Sequence, residues 1–182
     1  TDSGGAIELH AAMLENGIDS TMLVAKHDLG YARNIYLVGG SDKIRSVFSN
    51  IISSKLFRNI NKTRGMYSYP LIGAGLSKHK MVRAADVIYL HFVAHSSLLS
   101  LNEIERILKL GKPVVFITRD MWPITGGCHS FLNCERYTTH CFPCPVFNEK
   151  NQILKFSKLQ QKSKLRIYNK YSNLFFIGIS NW

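Results

Sequence analysis

Val87-Ile88-Tyr89-Leu90-His91, then Ser100-Leu101-Asn102-Glu103-Ile104-Glu105-Arg106-Ile107-Leu108, then Gly111-Lys112-Pro113-Val114-Val115-Phe116-Ile117 decides the fold. The two apolar runs have the length and β-branched content of buried strands. Between them Leu101, Ile104, Ile107 and Leu108 recur at helical spacing. Ser100 and Glu103 have the spacing of a capping box, which predicts that each satisfies a free amide of the other's backbone. Gly111 suits the left-handed position after the last turn, and Pro113 blocks continuation of the helix. Strand, capped helix, short turn and strand make a βαβ unit, so the strands are parallel and the crossover right-handed.

Working towards the N-terminus, a short helix is expected near Lys78 to Ala85, and Thr63 to Gly75 reads as a loop. Asp42 to Asn61 reads as a long amphipathic helix whose stripe is Ile44, Val47, Phe48, Ile51, Ile52, Leu56 and Ile60. That stripe either covers a sheet face or lies on an anionic membrane surface. Thr21 to Ala25 suggests a strand. Ala6, Leu9 and Met13 suggest a first helix that Asn16-Gly17 ends. A parallel α/β domain is expected to carry a strand ahead of that helix. Towards the C-terminus, Lys150 to Lys170 is basic and polar with only a weak helical pattern. Leu174 to Ile177 predicts another strand, after which a further helix is expected. The predicted architecture is α/β, a three-layer α/β/α sandwich with a mostly parallel Rossmann-like sheet, and residues 1–182 form one domain.

Composition admits a folded domain and excludes some alternatives. The 182 residues are 46% hydrophobic and 19% charged. No run approaches the ~18 apolar residues of a membrane span, and the N-terminus does not have the pattern of a secretory signal. A cytoplasmic location is expected, at most peripheral to the inner membrane face. Lys and Arg number 23 against 12 Asp and Glu, giving +11. That charge admits an anionic partner: nucleic acid, an acidic membrane or a phosphorylated substrate. The basic residues are scattered over several helices instead of gathered with aromatics on one face, so nucleic acid is not expected.

Chemistry concentrates after Ile117, in Thr118-Arg119-Asp120-Met121-Trp122-Pro123-Ile124-Thr125-Gly126-Gly127-Cys128-His129. Open α/β sheets put ligands beyond the carboxyl ends of their strands, which places His91, Arg119 and Asp120 at the candidate site. Gly4 and Gly5 would open the first helix at the same edge, where free amides can cradle phosphate. Asp120 either touches a hydroxyl of a bound ligand or accepts amides of its own loop. Trp122 either stacks on a ligand ring or anchors the loop. Gly126 and Gly127 relax the backbone or approach a ligand.

All four cysteines follow, as Cys128-x5-Cys134-x6-Cys141-x2-Cys144, in a cysteine-rich insertion around residues 121–147. The last pair has a zinc-knuckle spacing and the first is wider than usual. His129 or His140 could replace a thiol. Structural zinc, free thiols and disulfides all remain open, although disulfides are disfavoured in the cytoplasm.

Val87 to His91, the Ser-Leu-x-Glu-Ile helix, Gly111-Lys112-Pro113-Val114-Val115, the Asp-Met-Trp-Pro-x-Thr-Gly-Gly-Cys-His run and its spaced cysteines together resemble bacterial glycosyltransferases of family four. The opening Gly-Gly-Ala and the closing Ser-x-Trp match as well. The resemblance implies the N-terminal, acceptor-side domain of a two-domain GT-B enzyme, with the donor-binding domain absent from this chain. It implies retaining transfer of a hexose from a nucleotide-sugar, as co-substrate, to a saccharide or lipid-linked saccharide acceptor in surface polysaccharide synthesis. It implies no catalytic metal. The chain departs from the family at Arg119, where a histidine is usual. A guanidinium cannot act as a general base, but it can clamp a phosphate or orient a hydroxyl. The competing expectation is a truncated, non-catalytic relative that binds a protein or saccharide.

Overall fold

A computed structural model describes residues 4–25, 33–39, 44, 47–49, 51–53, 55, 65–91, 98–130, 133–147 and 155–179. The chain is an α/β protein with parallel, Rossmann-like sheets. Helix α1 (Gly4–Glu15) leads to strand β1 (Met22–Val24), which pairs in parallel with β2 (Ile35–Leu37). A 3-10 turn (Leu76–Lys78) and the short helix α2 (Lys80–Ala84) precede β3 (Ile88–His91). Helix α3 (Leu101–Leu108), β4 (Val114–Thr118), α4 (Phe156–Lys170) and β5 (Leu174–Gly178) complete the order.

Strands β3, β4 and β5 form one parallel sheet with β4 at its centre. The register pairs His91 with Ile117 and Thr118 with Gly178, so the carboxyl ends of the three strands reach one edge together. Helix α3 covers this sheet as its periodicity requires: Ile104, Ile107 and Leu108 are buried against a core that includes Val114 and Phe116. Each such side chain contributes roughly 1.5–3 kcal/mol on burial. Gly111 sits at φ 75° just beyond α3, as the turn demands.

Several local expectations are corrected. The capping box is half formed. Ser100 Oγ accepts from Glu103 N at 3.3 Å, but Glu103 does not cap Ser100 in return. Its buried carboxylate accepts from Ser77 N at 2.7 Å and pairs with Arg106 at 3.1 Å, tying α3 to the 3-10 turn. Strand β2 was not expected. The weakly patterned stretch before β5 is the 15-residue helix α4. Of the long helix expected over 42–61, residues 44, 47–49, 51–53 and 55 are helical and the remainder lies outside the described residues. Its apolar positions Ile44, Val47, Phe48 and Ile51 are exposed, Ile44 to 71%, while Ser49 is buried and accepts from Ile72 N. Ile52 is half-buried, so four of the five described stripe positions are exposed. No helix among the described residues is long and apolar enough to cross a membrane.

Candidate functional site

The parallel register brings His91 and Arg119 to neighbouring strand ends, and their side chains meet there. Arg119 Nε donates to His91 Nδ1 at 3.3 Å. The same guanidinium lies on the first turn of α1: a Cβ built on Gly5 would stand 2.4 Å from its Nη1. Absence of a side chain at Gly5 is what lets the cation rest against the helix start, where free amides add partial positive charge. Gly4 is open, with nothing within 4 Å of a Cβ there. Among the described residues Arg119 forms no ion pair, and its guanidinium bonds to His91 instead.

Burial first, and the adjacent Arg119 charge second, push His91 down from 6.5 to about 4. The imidazole is neutral at physiological pH. With Nδ1 accepting from Arg119, the hydrogen-bond pattern assigns its proton to Nε2. The corner thus offers a fixed cation, helix-start amides and a neutral imidazole N–H donor. That set can bind an anionic, oxygen-rich group and orient a hydroxyl.

Asp120 is turned the other way. Its Oδ1 accepts from Trp122 N at 2.9 Å, and its Oδ2 pairs with His129 Nδ1 at 2.6 Å. His129 Nε2 meets Ser68 Oγ at 2.8 Å. These are the distances of a serine–histidine–aspartate relay, but Ser68 is stitched into the loop on every side. Its N–H donates to Gly127 O, and its carbonyl accepts from Trp122 Nε1 and Gln160 Nε2. We assign the trio as a brace for residues 119–130. His129, considered as a substitute for a thiol, is committed to this brace.

Trp122 is 1% exposed. Its ring stacks with Phe116 at 6.5 Å, and Lys164 Nζ stands 3.6 Å from its centroid. The indole therefore anchors the loop to the core instead of presenting a face to a sugar. Gly126 and Gly127 are also buried. A Cβ at Gly126 would strike Ser157 O at 2.4 Å. One at Gly127, at φ 134°, would strike the Tyr67 ring at 2.6 Å. Both glycines serve close packing of the loop.

Helix α4 holds the loop through a buried polar face that sequence reading missed. Gln160 bonds to Ser68 O. Gln161 accepts from Cys141 N at 2.8 Å and donates to Tyr137 O at 2.7 Å. Lys164 donates to the carbonyls of Trp122 and Thr125. Burial pushes the Lys164 amine well below its ordinary 10.5.

Cys128, Cys134, Cys141 and Cys144 are free thiols that line one cavity of about 30 Å3 with Arg136 and Ser157. Cys128 and Cys144 are hydrogen-bonded to each other. Cys144 is pulled down by accepting that bond, with Ser157 and the Val146 and Phe147 amides assisting, and Cys128 is pushed up by it and by burial. Gly126 N donates to Cys141 Sγ at 3.1 Å. Among the described residues no three His, Cys, Asp or Glu side chains stand as a ready coordination shell.

Among known proteins, the chain is similar to the "Putative colanic acid biosynthesis glycosyl transferase WcaC" of Escherichia coli (strain K12). The two are 28% identical over 159 residues, which cover 80% of this chain and 36% of that protein. The chain thus spans little more than a third of the length of the relative it matches. No family model matches the chain, and no solved structure does. The similarity is distant and supports a glycosyltransferase relationship.

Proposed function

We propose that this chain is the acceptor-side N-terminal domain of a retaining GT-B glycosyltransferase. It would act in transfer of a hexose from a nucleotide-sugar to a saccharide or lipid-linked saccharide. The observation that carries this reading is the corner where Arg119 lies on Gly5 and bonds His91 at the carboxyl edge of a parallel sheet. A nucleotide-sugar brings a diphosphate whose charge grows as the glycosidic bond breaks. A preorganised guanidinium and helix-start amides stabilise such charge. Neutral His91 donates from Nε2 to a sugar or acceptor oxygen, and Arg119 fixes the ring that does so. Asp120 acts at one remove, by holding the loop that carries Arg119. The distant relative's description as a colanic acid biosynthesis glycosyl transferase supports the glycosyltransferase part of this reading.

Transfer requires donor and acceptor in one closed cleft, and proximity supplies a large part of the rate. Sugar-nucleotide titration of the complete gene product and of residues 1–182 alone tests the reading. Saturable binding and turnover by the complete protein, with retained anomeric configuration in the product, and weak or absent binding by the 182 residues are expected. If neither binds any sugar-nucleotide, the non-catalytic reading replaces this one.

The exposed Ile44, Val47, Phe48 and Ile51, followed by Lys55, support a peripheral contact with an anionic membrane as part of this proposal. An amphipathic helix of this kind lies in the headgroup region, where a lipid-linked acceptor would be presented. Sedimentation with anionic vesicles tests it. Reversal of Lys55, Arg58 and Lys62 to Glu is expected to abolish binding, and unchanged binding would remove this helix from the account.

A further inference from the structure

We propose that Cys128, Cys134, Cys141 and Cys144 bind one zinc ion as a structural tetrathiolate centre that fastens the loop to α4. Four soft ligands around one small cavity suit a closed tetrahedral site with sulfurs at roughly 2.3 Å from the metal. The sulfurs do not already stand as a coordination shell, so binding would draw them together.

Three features separate this from four cysteines buried as small hydrophobes. The first is the polarity of the sulfur surroundings. Cys141 Sγ accepts from Gly126 N at 3.1 Å, and Cys128 and Cys144 are hydrogen-bonded to each other. A neutral thiol is a weak acceptor, whereas metal-bound thiolates are held by such N–H donors. Cys141-Phe142-Pro143-Cys144 has the Cys-x2-Cys spacing of a metal knuckle.

The second is charge. A zinc tetrathiolate carries two negative charges. Lys164 is 1% exposed and lies in the electrostatic reach of Cys141, Asp120 and Cys128. Arg136 lines the cavity from the other side. A dianionic centre would add to the negative charge that Asp120 already sets near this buried lysine.

The third is the small apolar cluster at the cysteines. Between β4 and α4 the described chain has one 3-10 turn (Arg136–Thr138), and its apolar cluster is Cys144, Val146 and Phe147 with four partly buried neighbours. The Ser68 brace and α4 hold the loop on its other sides, and a metal would fasten the side whose apolar cluster is small. The centre would not take part in sugar transfer, so its failure leaves the functional reading intact.

Elemental analysis of the chain purified without added metal or chelator tests the proposal. It is combined with thiol titration of the native protein before and after chelation. About one equivalent of zinc, and four thiols that react only after chelation, are expected. Replacement by cobalt(II) should give the intense thiolate charge-transfer and visible bands of a tetrahedral site. Cys144→Ser should lose the metal, and Ser130→Ala, at a cavity residue without a thiol, should keep it. Cys144→Ser could fail to fold, so the cobalt spectrum of the parent chain decides independently. Less than about a tenth of an equivalent of zinc, with four free thiols and no cobalt bands, would overturn the proposal. A mass two hydrogens lighter per bridge, showing disulfides, would overturn it as well.

Discussion

Arg119 Nε donates to His91 Nδ1 at 3.3 Å, joining the carboxyl ends of two adjacent parallel strands. The bond exists only while His91 is neutral. The folded pKa lies below the unfolded value, so the unfolded chain binds the extra proton as pH falls. The stability that goes with neutral His91 is complete above 6.5 and is lost as pH falls towards about 4. NMR titration is expected to place this imidazole near 4 in the parent. In Arg119→Gln it should move up but stay below 6.5, since burial is the larger cause. A parent value of 6.5 would remove the bond from the account.

Gly5→Ala separates the corner from the fold. The new methyl would meet only the end of the Arg119 side chain, which can swing away, and alanine favours the helix over glycine by roughly 1 kcal/mol. Thermal unfolding is expected to be unchanged or slightly raised, while sugar-nucleotide affinity of the complete gene product falls about tenfold or more. An unchanged affinity would show that the guanidinium does not need its place on α1.

Lys164→Met tests how α4 holds the loop. Two buried carbonyls, those of Trp122 and Thr125, would lose their donor. A loss of roughly 2–4 kcal/mol in denaturant unfolding is expected. Because the folded pKa of Lys164 is depressed, the parent gains stability as pH climbs towards 10.5, and the difference from the variant should widen in that range. Equal stabilities would make the lysine incidental.

Glu105 joins α3 to α4 and the turn beyond through Arg166, Lys170 and Tyr171, each at 3.1 Å. The Arg166 bond, with the other two, holds its carboxyl down from 4.5 to about 2. Its contribution is full above 4.5 and disappears as pH falls to about 2. Glu105→Gln is expected to lower the unfolding temperature at neutral pH and to match the parent at pH 2. A difference that persists there would point to packing.

The βαβ core was legible because its signals are local. Ser100, Gly111 and Pro113 mark the ends of the elements, and the buried face of α3 is apolar. Helix α4 was not legible for the opposite reason. Its buried positions Ser157, Gln160, Gln161, Lys164 and Ile167 keep helical spacing, but four of the five are polar. They face loop backbone instead of a hydrophobic core, so a hydropathy period cannot find them. Strand β2 has three residues, two of them exposed, and offers no alternation to read. At the site, strand ends located His91 and Arg119. The roles of Asp120 and Trp122 depended on Ser68, 52 and 54 positions earlier in the chain, and on Lys164, contacts that no local pattern announces.

The rate of sugar transfer by the complete gene product carrying Arg119→Ala, measured beside its thermal unfolding, tests the central claim most directly. The account predicts a turnover lower by about 100-fold or more, with folding nearly unchanged, because a preorganised cation is lost where charge develops. Turnover equal to the parent's would contradict it and reduce Arg119 to a residue of the sheet edge.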